Sequence, residues 1–102
     1  MKTQELAVSI DRAESRFELE LEGKLSFIAY IPKDDRTLVL VHTEVHPNLE
    51  NKGIGARLLK GTLDYIETYK LKIIPSCPFV ATFLKRHPEY HHLVSPAYLQ
   101  SI

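Results

Sequence analysis

At His46-Pro47-Asn48 the apolar residues of this chain change period, and that change limits the folds open to it. Before it the pattern repeats every two residues. Phe17-Glu18-Leu19-Glu20-Leu21-Glu22 alternates strictly, which puts Phe17, Leu19 and Leu21 on one face of a strand and the glutamates on the other. Glu22-Gly23-Lys24 supplies a tight turn, and Leu25 to Ile31 forms a more apolar strand predicted to end at Pro32. Lys33-Asp34-Asp35-Arg36 is a polar turn, and Thr37 to Val45 has the β-branched character of a strand. With an earlier strand around Leu6 to Ile10, the segment from Glu5 to Val45 reads as a four-stranded antiparallel meander.

After the change the period is helical. From Gly53 to about Tyr69, Ile54, Leu58, Leu59, Leu63 and Ile66 fall on one face, with Arg57, Lys60, Asp64 and Glu67 opposite. A helix over that span is roughly 25 Å long. Leu71 to Ile74 is a short strand halted by Pro75. Pro78 to His87 is a second helix, with proline early where its missing N–H costs least, and Pro88 stops it. The tail from Ser95 is a short helix or a docked coil. The order β-β-β-β-α-β-α contains one strand-helix-strand succession, which normally closes as a right-handed parallel crossover. The expected fold is therefore α+β: a mostly antiparallel sheet with strands four and five parallel.

The length of 102 residues predicts a single domain over 1–102. Thirteen Lys plus Arg balance thirteen Asp plus Glu, which argues against a protein built to grip nucleic-acid phosphates over a broad surface. Cys77 is the only cysteine, so no intrachain disulfide can form and no multi-cysteine metal cluster is expected. The apolar runs are far short of a bilayer span and no charged-then-apolar leader opens the sequence, so a cytoplasmic protein without membrane partners is expected.

The stretch Asn51-Lys52-Gly53-Ile54-Gly55-Ala56 follows a strand and opens a helix. Glycines there let backbone approach a ligand closely, and the first N–H groups of the helix point at it from the positive end of the helix dipole. That is an anion site, typically for phosphate, with Lys52 and Arg57 able to add charge at its rim. It is not a Walker A loop, because no Lys-Ser/Thr follows the second glycine, and the dinucleotide fingerprint lacks its third glycine. The competing reading is a tight strand-to-helix turn and nothing more.

With the strands before it and the strand after it, this turn resembles the cofactor half of the GNAT acetyltransferase superfamily. There a Gln/Arg-x-x-Gly-x-Gly/Ala loop holds the pyrophosphate of acetyl-CoA; Gly53 and Gly55 match its last positions, while Glu50 stands at the first. The blocks His42-Thr43-Glu44-Val45, Lys52-Gly53-Ile54-Gly55, Ile73-Ile74-Pro75-Ser76-Cys77-Pro78-Phe79 and His87-Pro88-Glu89-Tyr90 are similar to the short, roughly hundred-residue GNAT-like family of the YjdJ type. The resemblance runs from about Phe17 to Tyr90. It implies a GNAT core without the helices and strands that usually wall the acceptor site, and hence an exposed peptide or protein amine as acceptor. It also implies strands four and five splayed around acetyl-CoA, with Val45 offering backbone contacts and Gly53, Ile54, Gly55 and Ala56 receiving the pyrophosphate.

Cys77 would then lie near the acetyl group, either lining the thioester site or taking the acetyl group transiently as a nucleophile; otherwise it is a small buried residue. Its place at a helix start favours the thiolate. Direct transfer requires a general base. Glu44 and His42 project from one face of strand four and are the candidates, against a solvated strand carboxylate and a hydrogen-bonded core histidine. Thr43 and Val45, on the other face, are packing residues. His87, His91 and His92 cluster, but Pro88 breaks the helix between them and no metal site is expected. Tyr90 and Tyr98 are packing residues. The expected function is an acetyl-CoA-dependent N-acetyltransferase, a monomer or weak homodimer; the alternative is a non-catalytic CoA-binding or protein-interaction module.

Overall fold

Alternating apolar side chains build the first half of the molecule. The computed structural model of the chain describes residues 7–50 and 52–101. Its strands are β1 (Ser9–Asp11), β2 (Arg16–Leu21), β3 (Lys24–Asp34), β4 (Thr37–Glu44) and β5 (Lys72–Pro75), joined in one sheet in sequence order. The first four are antiparallel and β4 pairs with β5 in parallel. Helices α1 (Ile54–Thr68) and α2 (Pro78–Arg86) flank β5 in the chain, as the change of period predicts.

The register sorts the side chains by face. Phe17 pairs with Ile28 and Leu19 with Ser26, and Leu40 and Leu38 continue that face into β4. All are buried, and they share one core with Leu58, Leu59, Leu63 and Ile66 of α1 and Val80 and Leu84 of α2. Phe17 is its aromatic anchor, its ring centroid 5.3 Å from both Tyr30 and Tyr65. Burying side chains of this size contributes roughly 1.5–3 kcal/mol each, which holds α1 across the sheet. The alternate residues of β2–β4 are half-buried or exposed.

Several boundaries differ from those expected. Strand β3 does not end at Pro32 but runs to Asp34, with Pro32 opposite Leu38. Pairing with β2 stops at Ala29, and the next N–H on that side, from Tyr30, goes to the Ser15 carbonyl. Pro32 stands two residues on, facing the same unpaired edge, so its missing N–H deprives no partner. The first strand is centred further along, at Ser9–Asp11; Leu6, where it was expected to begin, lies outside the described residues. Pro75 belongs to β5, and Gly53, Tyr69 and His87 cap helices rather than extend them. Beyond α2, 3₁₀ turns at Pro88–Leu93 and Pro96–Ser101 carry the tail, and Val94 bridges to Ile73 in parallel.

Two features position the site. Ladder pairing between β4 and β5 runs only from Thr37 with Lys72 to Leu40 with Pro75, after which β4 continues to Glu44 paired with β3. The strands part there, and Cys77 closes the fork by donating its N–H to the Leu40 carbonyl at 2.9 Å. The second is a β-bulge: Tyr30 pairs with Leu40 but Ala29 pairs with His42, leaving Val41 as an extra residue. A bulge reverses the faces beyond it. Thr43 therefore joins the Leu40 face, and His42 and Glu44 turn to the other side.

Candidate active site at the β4–α1 fork

A cavity of about 420 Å³ opens where β4 leaves β5. It is lined by Thr43 and Val45 from the end of β4, Leu49 and Glu50 from the connecting loop, Gly53 to Ala56 from the start of α1, and Phe79 from α2. The loop is held from below. The His46 N–H donates to the buried Ser26 Oγ at 3.1 Å, and His46 Nδ1 accepts from the Asn48 N–H at 3.1 Å, capping a 3₁₀ turn at Pro47–Leu49. Leu49 is fully buried and anchors that turn in the core.

Gly53 then reverses the chain with φ 74° and ψ 13°, in the left-handed region that costs a residue with a Cβ about 1–2 kcal/mol. Gly55 lets α1 approach α2 closely: a Cβ there would stand 3.1 Å from the tip of the Phe79 ring, which would have to shift. Among the described residues no side chain caps α1, and no acidic residue occupies its first turn. Its leading N–H groups are thus left for a ligand beside the positive end of a four-turn helix, which suits an anion. The chemistry of this cradle fits a phosphate group. Lys52 and Arg57 are exposed and are not among the residues that line the cavity.

Cys77 is 4% exposed and stands at the N-cap of α2. Its Sγ lies 3.3 Å from Thr43 Oγ1, with which it shares a hydrogen bond. The thiol therefore backs the cavity through Thr43 and is not part of its wall. On the opposite side of β4, His42 Nε2 and Glu44 Oε1 are 3.2 Å apart, with side chains 59% and 61% exposed. His42 is not a core histidine: the Val41 bulge turns it to the open face, where its ring lies 6.1 Å from Phe27. Thr43 and Val45, read as packing residues, line the cavity. Phe79, quoted above only within a motif, and Ser26 were not expected at the site. Nothing in the pattern singles out Ser26, whereas Phe79 is a large apolar residue left 40% exposed in the first turn of a helix, directly after Cys77-Pro78.

The remaining histidines scatter to separate partners. His87 stacks on Phe83 at 4.1 Å, His91 Nε2 reaches the Leu84 carbonyl at 2.7 Å, and His92 Nε2 reaches Glu67 Oε2 at 3.1 Å. Among the described residues no three His, Cys, Asp or Glu side chains gather as metal ligands, and no helix is long and apolar enough to cross a membrane.

The profile of the GCN5-related N-acetyl-transferase family matches residues 16–93. The chain belongs to that family. The fold is that of a GCN5-like protein from Staphylococcus aureus, solved by NMR and described as a proposed N-acetyltransferase. The two are 28% identical, each is covered over 88% of its length, and the TM-score is 0.67. No curated protein matches the sequence significantly.

Proposed function

We propose that the chain, acting as a single unit over 1–102, is an acetyl-CoA-dependent N-acetyltransferase that acts on an exposed peptide or protein amine. The observation that carries this reading is the start of α1, opened by Gly53 and Gly55 onto a cavity beside the end of β4 that no longer pairs with β5. In this reading the N–H groups of Ile54, Gly55 and Ala56 receive the pyrophosphate, and Lys52 and Arg57 meet the outer phosphates. Val45 offers backbone contacts to the chain leading to the thioester, and Phe79 covers it. Acetyl-CoA supplies an activated acetyl group when bound.

Glu44 and His42 act as one hydrogen-bonded pair, either of which takes the proton from the acceptor amine. As the new N–C bond forms, the Val45 N–H polarises the acetyl carbonyl where negative charge develops. The C–S bond then breaks and the thiolate leaves through the fork, where Cys77 stands behind Thr43. The zero net charge, the single cysteine and the family suit a cytoplasmic enzyme.

Thermal unfolding with acetyl-CoA, free CoA and ATP tests the cofactor site. At about 100 times Kd, specific binding should stabilise by roughly 2.7 kcal/mol, or on the order of 10–20 °C in a domain of this size. A shift with ATP equal to that with acetyl-CoA, or none at millimolar ligand, refutes the reading. Binding without any turnover of amine-bearing peptides would leave a CoA-binding module.

A further inference from the structure

The face of β2–β4 that points away from the cavity has a composition unlike that of the chain as a whole. Register places Asp11, Arg16, Ala29 and His42 in one row across the sheet, and Glu18, Phe27 and Glu44 in the next. Glu20 lies on the same face, one row further. Four carboxylates thus meet one guanidinium on this face, although the chain is formally neutral. That guanidinium is already engaged: Arg16 Nε donates to Glu18 Oε2 at 2.6 Å, and the group lies 4.8 Å above the Phe27 ring. Its protonated form is held above its usual range, chiefly by that hydrogen bond. Ile31, further along β3, is 56% exposed on this side.

An apolar strip edged with negative charge repels a second copy of itself, as it repels phosphate-bearing polymers and anionic lipid. It fits a cationic chain. The spacing narrows the choice. Glu18 and Glu44 flank Phe27 on either side, two strand spacings or about 10 Å apart. An extended peptide in the polyproline II form advances about 3.1 Å per residue with three residues per turn, so cations three residues apart lie on one side of it, about 9 Å from each other. Glu44 is also the residue read above as accepting the amine's proton.

Building on the acetyltransferase reading, we infer that this face docks the acceptor as an extended basic peptide. The acceptor lysine lies at Glu44 and a second cationic residue, about three positions away, lies at Glu18 and Glu20.

The test uses the full chain, acetyl-CoA and two capped twelve-residue peptides, each with one lysine. One carries arginine three residues before and after it, the other glutamate. The arginine peptide should show kcat/KM at least about tenfold higher, an advantage that shrinks as salt is raised to about 0.5 M. Glu18→Gln with Glu20→Gln should remove most of the advantage while leaving the acetyl-CoA thermal shift unchanged. Amide shifts of Phe27, Ala29 and Ile31 should move with the arginine peptide, and these decide the matter if neither peptide is turned over. Equal kcat/KM, an advantage that survives the double variant, or silent amides on this face would each overturn the inference. Concentration-dependent shifts of the same amides without peptide would assign the face to a second copy and overturn it too. Loss of acetyl-CoA binding in the unmodified protein would instead refute the acetyltransferase reading itself.

Discussion

The two sides of β4 beyond its bulge differ in almost every respect. On one side Thr43 and Val45 look into a partly enclosed cavity, with an uncapped helix start at its far wall and a buried thiol behind it. On the other, His42 and Glu44 bond to each other in the open, on a face dominated by carboxylates. One side presents backbone donors and apolar surface and suits an anionic, partly apolar ligand. The other presents proton acceptors and suits a cation. A single strand, about 5 Å from its neighbours, separates the two environments, which meet only where β4 has parted from β5. The difference teaches that one strand can present two unlike surfaces, and in the proposed reading binding and chemistry fall on opposite faces, so substitutions should split between them.

The largest effect should come from the open face. Replacing Glu44 with Gln and His42 with Ala together should lower kcat by about 10²–10⁴-fold, the usual worth of a general base. The acetyl-CoA thermal shift should be unchanged; if binding falls and turnover survives, the division of labour is wrong. Next in size is Ala56→Glu, which puts a carboxylate in the first turn of α1. Acetyl-CoA affinity measured by calorimetry should weaken about tenfold or more, yet the ligand-free protein should become more stable by about 0.3–1 kcal/mol, because the same charge favours the helix dipole. The two opposite signs distinguish an anion site from general damage.

A smaller effect is expected at Glu50, whose carboxylate lines the cavity at the position where the family loop carries Gln or Arg. Glu50→Gln should tighten acetyl-CoA a few-fold, in line with the 0.2–1 kcal/mol typical of exposed charge pairs. Weaker binding would mean the side chain helps the ligand. The smallest effect lies at the far end of α1, where Asp34 borders a second cavity lined by Tyr30, Tyr65 and Tyr69. Its carboxyl is held below the ordinary 3.8, chiefly by the Arg36 N–H at 2.9 Å. A depressed folded value contributes stability above the ordinary value and loses it as pH falls through the folded one. Asp34→Asn should therefore flatten the acid side of the stability curve between those two values, with no change in acetyl-CoA affinity. An altered affinity would show that the second cavity communicates with the first.

Much of this arrangement is legible in the order of residues. Alternation in Phe17 to Leu21 and the helical spacing of Ile54, Leu58, Leu59, Leu63 and Ile66 name the faces that end up buried. Both patterns follow from the fixed geometry of strand and helix, which local sequence suffices to express. The glycine pair after a strand likewise announces a left-handed turn and a close approach, since few other residues tolerate either.

What escaped that reading depends on partners distant in the chain. Pro32 could continue β3 only because β2 has already ended beside it, and the length of β2 is not written near Pro32. Alternation from Leu38 and Leu40 would carry His42 and Glu44 into the core; the bulge at Val41, fixed by pairing with Ala29 and Tyr30, sends them outward and brings Thr43 to the cavity. Thr43 meets Cys77 across 34 positions, and Ser26 holds His46 across 20. The sequence by itself determined which stretches are strands and helices, which residues are apolar enough to form the core, and where a phosphate could meet a helix. Only the tertiary structure decided which face of β4 each polar side chain takes, because a one-residue slip in pairing inverts every face beyond it.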